Sequence, residues 1–160
     1  MPDLNTLSDN LDGLETGKLC HIGFVVPKME RALTQWLNTG AQIIIPPTDD
    51  PVQHVSCALI SFAGSVPIEL VAPLGDVEES PVAARLKRGG GLDHVCMFTD
   101  DMNMDIARHQ EKGALLVVKP VYGCVFDRQI AFLQLRTGLV LELMNRRPEG
   151  RQSATVMGLS

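Results

Sequence analysis

The sequence lacks long hydrophobic runs and has no excess of basic residues. No stretch approaches the length of a membrane span, and residues 1–17 have neither the cationic start nor the apolar core of a signal peptide. We therefore expect a cytoplasmic protein with no membrane partner. Lysine and arginine number 14 against 19 aspartate and glutamate residues, and the formal net charge of −5 argues against a nucleic-acid partner.

Cysteine is sparse, and its spacing excludes two common uses of the residue. The four cysteines are dispersed and include no C-x-x-C pair, so neither a zinc ribbon nor a thioredoxin-type redox site is indicated. Three of them fall in strand-like runs, where reduced cysteine acts as a small apolar side chain. The four cysteines are Cys20, Cys57, Cys96 and Cys124.

The 160 residues are enough for one ordinary domain or for two small modules that share a core. Two halves of the chain repeat each other at a fixed offset of 73 residues. Ten identities fall on this offset, more than the roughly two to four that ordinary composition gives by chance. They include the pairs Leu19 and Leu92, His21 and His94, Gly40 and Gly113, Pro47 and Pro120, and Glu69 and Glu142. The chain therefore contains an internal duplication.

Each half has the same order of predicted elements. An apolar strand at 19–26 or 92–99 is followed by a helix, from Met29 to Asn38 or from Met102 to Lys112, and a glycine stops each helix. Three apolar strands follow, at 41–45, 55–62 and 66–72 in the first copy and at 114–118, 129–135 and 139–144 in the second. The predicted fold is α+β, with paired βαβββ modules that form a curled sheet around a central cleft.

The repeat also divides the chain. We expect a single domain at residues 18–146, made of module 1 at 18–73, a connector at 74–90 and module 2 at 91–146. Residues 1–17 and 147–160 fit neither copy, so they are predicted to be an N-terminal extension and a C-terminal tail.

Four ionisable residues occupy matching places in the two copies. His21 and His94 lie in the first strands, and Glu69 and Glu142 lie in the last strands. A single glutamate between aliphatic residues is typical of a solvent-facing strand position, but the recurrence of both types in both copies favours a shared site. Two imidazoles and two carboxylates suit one divalent transition metal ion, which would activate an oxygen-bearing ligand.

With these residues the chain resembles the vicinal oxygen chelate superfamily, which includes glyoxalase I, extradiol dioxygenases and bleomycin-resistance proteins. Within it, "CHIGFVVPKMERAL" and "IAFLQLRTGLVLELM" are most similar to the methylmalonyl-CoA epimerases. The resemblance covers about residues 18–146. It implies that His21, Glu69, His94 and Glu142 are metal ligands and that the metal is Co, Ni, Zn, Mn or Fe. It also implies a small-molecule substrate of the acyl-CoA type and a homodimer.

The resemblance further implies a reaction at the carbon next to a carbonyl, through a metal-stabilised enolate. The epimerases have a glutamate base just before the third strand, where this chain has Val52, Gln53 and His54. Two candidate bases follow. His54 has a suitable side chain, and Glu142 is the alternative if it leaves the metal to take the proton.

Two departures from the epimerases concern the second module. Asp93 precedes His94 where epimerases usually have a histidine pair, and "VYGCVFDRQ" replaces a small glycine-rich loop. We expect Tyr122, Phe126 and Arg128 to crowd or reshape the pocket. The alternative functions are a lyase of the glyoxalase I type and a metal-free binding protein of the bleomycin-resistance type. An extradiol dioxygenase fits less well, because it uses two histidines and one carboxylate around iron.

Overall fold

The computed structural model describes residues 18–146, and the first part of this range is a strand, a helix and three strands. The predicted extension at 1–17 and the predicted tail at 147–160 lie outside the described residues. The elements are β1 (Leu19–Val25), α1 (Met29–Asn38), β2 (Gln42–Asp50), β3 (Val55–Ser61) and β4 (Ile68–Pro73).

A connector and a second set of the same elements follow. The connector contains a 3-10 turn at Val77–Glu79 and the short helix α2 (Ala83–Lys87). The second set is β5 (Gly91–Thr99), α3 (Met102–Glu111), β6 (Leu115–Gly123), β7 (Arg128–Gln134) and β8 (Val140–Asn145). Both longer helices stop at the predicted glycines, because Gly40 and Gly113 take φ values of 97° and 89°, which favour glycine.

All eight strands belong to one curled sheet, in the order β2-β3-β4-β1-β5-β8-β7-β6. The first strand of each unit pairs in parallel with the last strand of the same unit, and β1 pairs antiparallel with β5 at the centre. The two units are thereby joined through their first strands. The predicted α+β fold of paired βαβββ units is confirmed.

The outer face of the sheet is covered by the two longer helices. Residues of α1 at helical spacing, Met29, Ala32 and Leu33, pack with Ile60 and Leu70 of the sheet. In the second unit Met102 and Ile106 of α3 pack with Leu133, Leu141 and Leu143. Because β4 and β8 use Leu70, Leu141 and Leu143 for this contact, strand alternation turns Glu69 and Glu142 to the opposite, inner face.

The inner face of the sheet is also buried. Its apolar cluster includes Cys57, Val71, Phe98, Val125 and Met144, drawn from both units. A glutamate on this face is therefore inside the protein and not in water. Glu69 is 4% exposed and Glu142 is 2% exposed. Unlike a typical glutamate between aliphatic residues in a strand, neither side chain faces solvent.

Two strands are longer than predicted. The apolar runs predicted strands that end at residues 45 and 118, but β2 and β6 continue through Pro46, Pro47 and Pro120 to Asp50 and Gly123. Both are edge strands, and the pairing register shifts between Ile45 and Thr48 and between Val118 and Val121, the intervals that contain these prolines. Proline is tolerated there because an edge strand has one unpaired side and a bulge needs no amide donor.

Between residues 18 and 146, no helix combines the length and the apolar character needed to cross a membrane.

Candidate metal centre

The strand pairings put four predicted ligands into two neighbouring rows on the inner face. Glu69 of β4 is the register partner of Gly23 on β1, and Gly23 in turn faces His94 on β5. In the other row, Glu142 of β8 is the partner of Cys96 on β5, and Cys96 faces His21 on β1. The two rows are related by the internal repeat, since Gly23 and Cys96 are themselves 73 residues apart.

The four side chains converge on one point. The Nε2 atoms of His21 and His94 are 3.2 Å apart. The Glu142 Oε2 atom lies 3.0 Å from the His21 Nε2 atom and 3.1 Å from the His94 Nε2 atom. The Glu69 Oε2 atom lies 3.2 Å and 3.1 Å from the same two nitrogens. The prediction that two imidazoles and two carboxylates share one location is met by these distances.

These four side chains, called the quartet below, are shielded from water, and their burial affects the pKa of each of them. Burial acts to lower the pKa of His21 and of His94, but the glutamate charges and hydrogen bonds outweigh it, and both pKa values lie well above that of an ordinary histidine. Burial acts to raise the pKa of Glu69 and Glu142, but the two imidazoles hold both pKa values below the usual glutamate range. Two carboxylates and two imidazoles thus compensate one another inside the protein.

The donor set fits a divalent metal ion. All four ligand atoms lie within 4.8 Å of one another. Two ligands about 2.1 Å from one ion and at right angles to each other are about 3.0 Å apart, and the contacts within the quartet measure 3.0–3.2 Å. Imidazole nitrogen with carboxylate oxygen is a combination that first-row transition metals accept.

Each imidazole is oriented through its other nitrogen. The Nδ1 atom of His94 donates a hydrogen bond of 2.9 Å to Oδ2 of the preceding residue, Asp93. The Nδ1 atom of His21 is hydrogen-bonded to the Cys20 Sγ atom at 3.3 Å. Such partners hold a metal-binding histidine in one orientation and one tautomer. The Cys20 thiol is altered by its surroundings, since hydrogen bonding to Cys96 and His21 lowers its pKa to about 6.

Gly23 makes room for the His94 ring. A Cβ atom at position 23 would stand 2.1 Å from the His94 Cε1 atom, closer than any real Cβ contact. Gly23 was not among the predicted site residues. Its signal in the sequence is a glycine in the interior of a strand, two residues after a candidate ligand, which often marks a close approach by another group.

A cavity of about 190 Å³ opens beside the quartet, and His94, Glu69 and Glu142 line it. Most of the remaining wall is apolar and comes from both units. Its valine, isoleucine and phenylalanine residues are Val55, Val71, Val82, Val117, Val118, Val125, Phe126, Ile130, Phe132 and Val140. The polar side chains Asp50, Gln53 and Asp93 also line it. Asp50 was not predicted, because its position at the end of an edge strand revealed nothing about where its side chain lies.

The two candidate bases are placed very differently. Glu142 is buried and lines the cavity, whereas His54 is exposed in the turn before β3 and has a φ of 53°. Gln53, the neighbour of His54, is the residue that lines the cavity. The position of His54 therefore does not support its predicted role as a base, since strand alternation and the turn direct it to solvent.

Tyr122, Phe126 and Arg128, which were expected to reshape the pocket, also differ in whether they line the cavity. Phe126 is buried, lines the cavity and stacks on His21, with ring centroids 5.2 Å apart and an interplanar angle of 15°. Tyr122 is 53% exposed, and its hydroxyl donates to the Asp127 Oδ1 atom at 2.5 Å. Arg128 is buried but does not line the cavity. Of the three, Phe126 alone forms the wall of the cavity.

The model of the glyoxalase/bleomycin resistance protein/dioxygenase superfamily matches residues 20–132. The chain belongs to this superfamily. The predicted resemblance is confirmed, and the match spans most of both units.

Two proteins of similar sequence and one solved structure similar to this chain are epimerases. The ethylmalonyl-CoA/methylmalonyl-CoA epimerase of Cereibacter sphaeroides is 35% identical over 100 residues, which are 61% of this chain and 72% of the relative. The mitochondrial methylmalonyl-CoA epimerase of Bos taurus is 33% identical over 119 residues, or 73% of this chain and 66% of the relative. The crystal structure of methylmalonyl-CoA epimerase from Mycobacterium tuberculosis has a TM-score of 0.70 at 26% identity, covering 82% of this chain and 89% of that one.

Proposed function

We propose that this protein is a metal-dependent epimerase or isomerase that acts on the carbon next to the carbonyl of an acyl thioester. The observation that carries the proposal is the convergence of two imidazole nitrogens and two carboxylate oxygens on the wall of a buried cavity. The similarity to epimerases of malonyl-type thioesters supports the reaction class.

His21, Glu69, His94 and Glu142 are proposed to hold one divalent metal ion. When bound, such an ion supplies Lewis-acid polarisation of a substrate oxygen, which makes a neighbouring C–H bond more acidic. The ion is expected to be Co, Ni, Zn, Mn or Fe, because each accepts nitrogen and oxygen ligands. Metal analysis of protein purified without chelators would identify it.

Glu142 is the proposed proton acceptor. Its carboxylate faces the cavity and is 2% exposed, so once it leaves its place in the ligand set it can take a proton from a bound substrate without competition from bulk water. The apolar wall excludes water from the same space, which protects an enolate from adventitious protonation. The planar enolate then presents its other face to Glu142, and return of the proton from the Glu142 carboxyl group to that face completes an epimerisation.

A lyase of the glyoxalase I type remains the alternative enzyme. The near-symmetric placement of Glu69 and Glu142 against the same two imidazoles favours it as the second candidate, because either carboxylate is positioned to handle a proton. A metal-free binding protein is disfavoured, because two imidazole nitrogens and two carboxylate oxygens converge with the spacing of ligands around one cation.

The test compares two substrates in deuterated water. We expect metal-loaded protein to introduce deuterium at the α-carbon of a 2-methyl-branched malonyl thioester, methylmalonyl-CoA, and to leave a methylglyoxal–thiol adduct intact. Chelator-treated protein should not introduce deuterium and should also leave the adduct intact. Consumption of the adduct without deuterium incorporation would instead establish the lyase, and inertness towards both would refute the enzymatic proposal for these substrate classes.

We also propose that residues 18–146 act as one domain of two modules, that the protein works as a homodimer and that it resides in the cytoplasm. Internal duplication with pairing between β1 and β5 supports the single domain. Sedimentation of the purified protein would measure the oligomer, and fractionation of cells would locate the protein.

A further inference from the structure

A second group of metal-binding side chains lies behind the His21 ring. The Sγ atoms of Cys20 and Cys96 and a ring nitrogen of His21 all lie within 4.8 Å of one another. The quartet uses the Nε2 atom of His21, whereas the Cys20 Sγ atom is 3.3 Å from the Nδ1 atom of the same ring. The two thiols therefore lie beside a nitrogen that the proposed centre does not use.

A bulge in β1 produces this arrangement. Neighbouring residues of a strand point to opposite faces of the sheet, so Cys20 and His21 would ordinarily point in opposite directions. The β1–β5 register shifts between Leu19 and His21, and an extra residue at such a point re-aims its side chain. Cys20 is consequently buried in the same inner cluster as Cys96, the register partner of His21.

The internal repeat shows that the fold itself does not require these thiols. A shift of 73 residues places Asp93 at the position of Cys20 and Gly23 at the position of Cys96. The His94 ring is accordingly held by a carboxylate oxygen and faces a glycine. Of the two imidazoles, the one in β1 has a pair of sulfur atoms beside it and its counterpart does not.

Two sulfur ligands and one nitrogen ligand select a soft cation. Thiolates favour Cu(I) and zinc over harder ions. A structural zinc ion has four ligands, but across residues 18–146 no fourth histidine, cysteine, aspartate or glutamate joins this group. Three ligands spread evenly in a plane about 2.0–2.3 Å from one ion are about 3.7–4.0 Å apart, which the limit of 4.8 Å allows. The group therefore suits a three-coordinate ion such as Cu(I).

The surroundings of the two thiols favour a cation of low charge. Both side chains are buried, and the cluster that contains them consists mostly of aliphatic and aromatic residues. Burying a charge among such residues is costly unless an opposite charge compensates it. One thiolate compensates a monovalent ion completely.

We propose that Cys20, Cys96 and the Nδ1 atom of His21 form a second metal site, which binds a soft monovalent cation of the Cu(I) type. The existence of this site does not depend on the proposed function. The His21 ring links it to the quartet, because a neutral imidazole has one nitrogen without a proton and can serve one ion at a time. A cation at the thiols is therefore expected to weaken the binding of a divalent ion at the quartet.

The first experiment measures Cu(I) binding to reduced, metal-depleted protein without oxygen, in competition with the chromogenic chelator bicinchoninate. We expect one Cu(I) ion per chain, with two sulfur ligands and one nitrogen ligand in its X-ray absorption spectrum. Cys20→Ala and Cys96→Ala should each lower the Cu(I) affinity by more than about 100-fold. Loss of a ligand should exceed the roughly 10- to 100-fold effect of losing a partner outside the ligand set.

Cys57→Ala is the matched control. Cys57 is another buried cysteine of the same inner cluster, but it does not belong to the group of three ligands. This variant should retain the wild-type affinity for Cu(I). If one of the two ligand variants does not fold, the other variant and the absorption spectrum of the wild-type protein still decide.

The second experiment measures the affinity of the quartet for Co(II), with and without one equivalent of Cu(I). In the wild-type protein Cu(I) should lower the Co(II) affinity by about 10- to 100-fold, the range typical when the support of a metal-binding histidine is disturbed. In Cys96→Ala the same addition should leave the Co(II) affinity unchanged.

No binding of Cu(I), a bound Cu(I) ion without sulfur ligands, or an affinity that neither ligand variant changes would overturn the inference. A Co(II) affinity that Cu(I) does not alter would overturn the link through His21. Failure of the protein to bind Co(II) at all would count against the proposed function, while the Cu(I) measurements would still decide the second site.

Discussion

Gly23 lies directly opposite His94 in the central pairing of β1 with β5, and the imidazole occupies the space that a side chain at position 23 would fill. The repeat places Cys96 at the equivalent point of the second unit, opposite His21. The two imidazoles are therefore related by the duplication but are packed differently, one against a glycine and one against a thiol.

Gly23→Ala should displace the His94 ring. We expect metal affinity to fall by about 10- to 100-fold, as is typical when the support of a metal-binding histidine is disturbed, with an overpacking cost of about 1–3 kcal/mol in unfolding free energy. Metal content after dialysis and urea unfolding would measure the two effects. Cys96→Ala at the equivalent position is the control, since it removes an atom and creates no clash; retained metal affinity in Gly23→Ala would show that His94 is not held by this contact.

Glu142→Gln should greatly slow proton transfer, while His54→Asn should not affect it. The metal content of both variants is measured, so that loss of a metal ligand is not mistaken for loss of the base. Loss of a general base costs about 10²–10⁴-fold in rate, and deuterium exchange into the substrate would measure it. Asparagine is the suitable replacement at position 54, because it removes the imidazole and tolerates the positive φ of 53° found there. A large loss of exchange in His54→Asn would reverse the assignment.

Metal binding should release protons near neutral pH. In the metal-free protein the pKa values of His21 and His94 lie well above the usual 6.5, so both imidazoles are protonated at pH 7 and must lose their protons to bind a metal ion. Apparent metal affinity should therefore rise with pH until the raised histidine pKa values are passed. Calorimetry in buffers of different ionisation enthalpy would count the released protons, and a count of zero at pH 7 would contradict the protonated state.

The same shifts predict how the stability of metal-free protein depends on pH. A histidine whose pKa is raised in the folded state stabilises that state. The stabilisation is complete below the unfolded pKa of about 6.5 and is lost as pH rises through the folded pKa. The lowered pKa values of Glu69 and Glu142 act in the opposite direction, and their contribution is lost as pH falls through the folded glutamate values. Urea unfolding across pH should show a stability maximum between these limits; rising stability at alkaline pH would be inconsistent with the raised histidine values.

Phe126 should matter for both stability and the site, because it is buried and stacks on His21. Phe126→Ala is expected to cost about 3–5 kcal/mol of unfolding free energy, and the milder Phe126→Leu should weaken metal binding by loosening the His21 ring. Phe62→Leu is the matched control, since Phe62 packs against Trp36 on the outer face. Equal effects of the two leucine substitutions on metal affinity would show that the stacking has no specific role.

Strand alternation and the duplication were enough to predict the four converging residues. His21 and His94 could be assigned to first strands, and Glu69 and Glu142 to last strands, because the period of a strand and the offset of a repeat are local properties of the chain. The helix ends at Gly40 and Gly113 could be predicted for the same reason, since the left-handed backbone they need depends on the residue itself.

Other features depended on which segments become neighbours, and these were decided by the tertiary structure. The strand predicted at 41–45 continues through Pro46 and Pro47, because the sheet order puts β2 at an edge, where a missing amide donor costs little. Gly23 is important because the His94 ring faces it across the β1–β5 pairing. Asp50 lines the cavity and His54 does not, because the turn between β2 and β3 directs their side chains differently. The sequence by itself determined the ligand types and their strands, because periodicity acts over a few residues, whereas packing across the sheet decided which other side chains surround them.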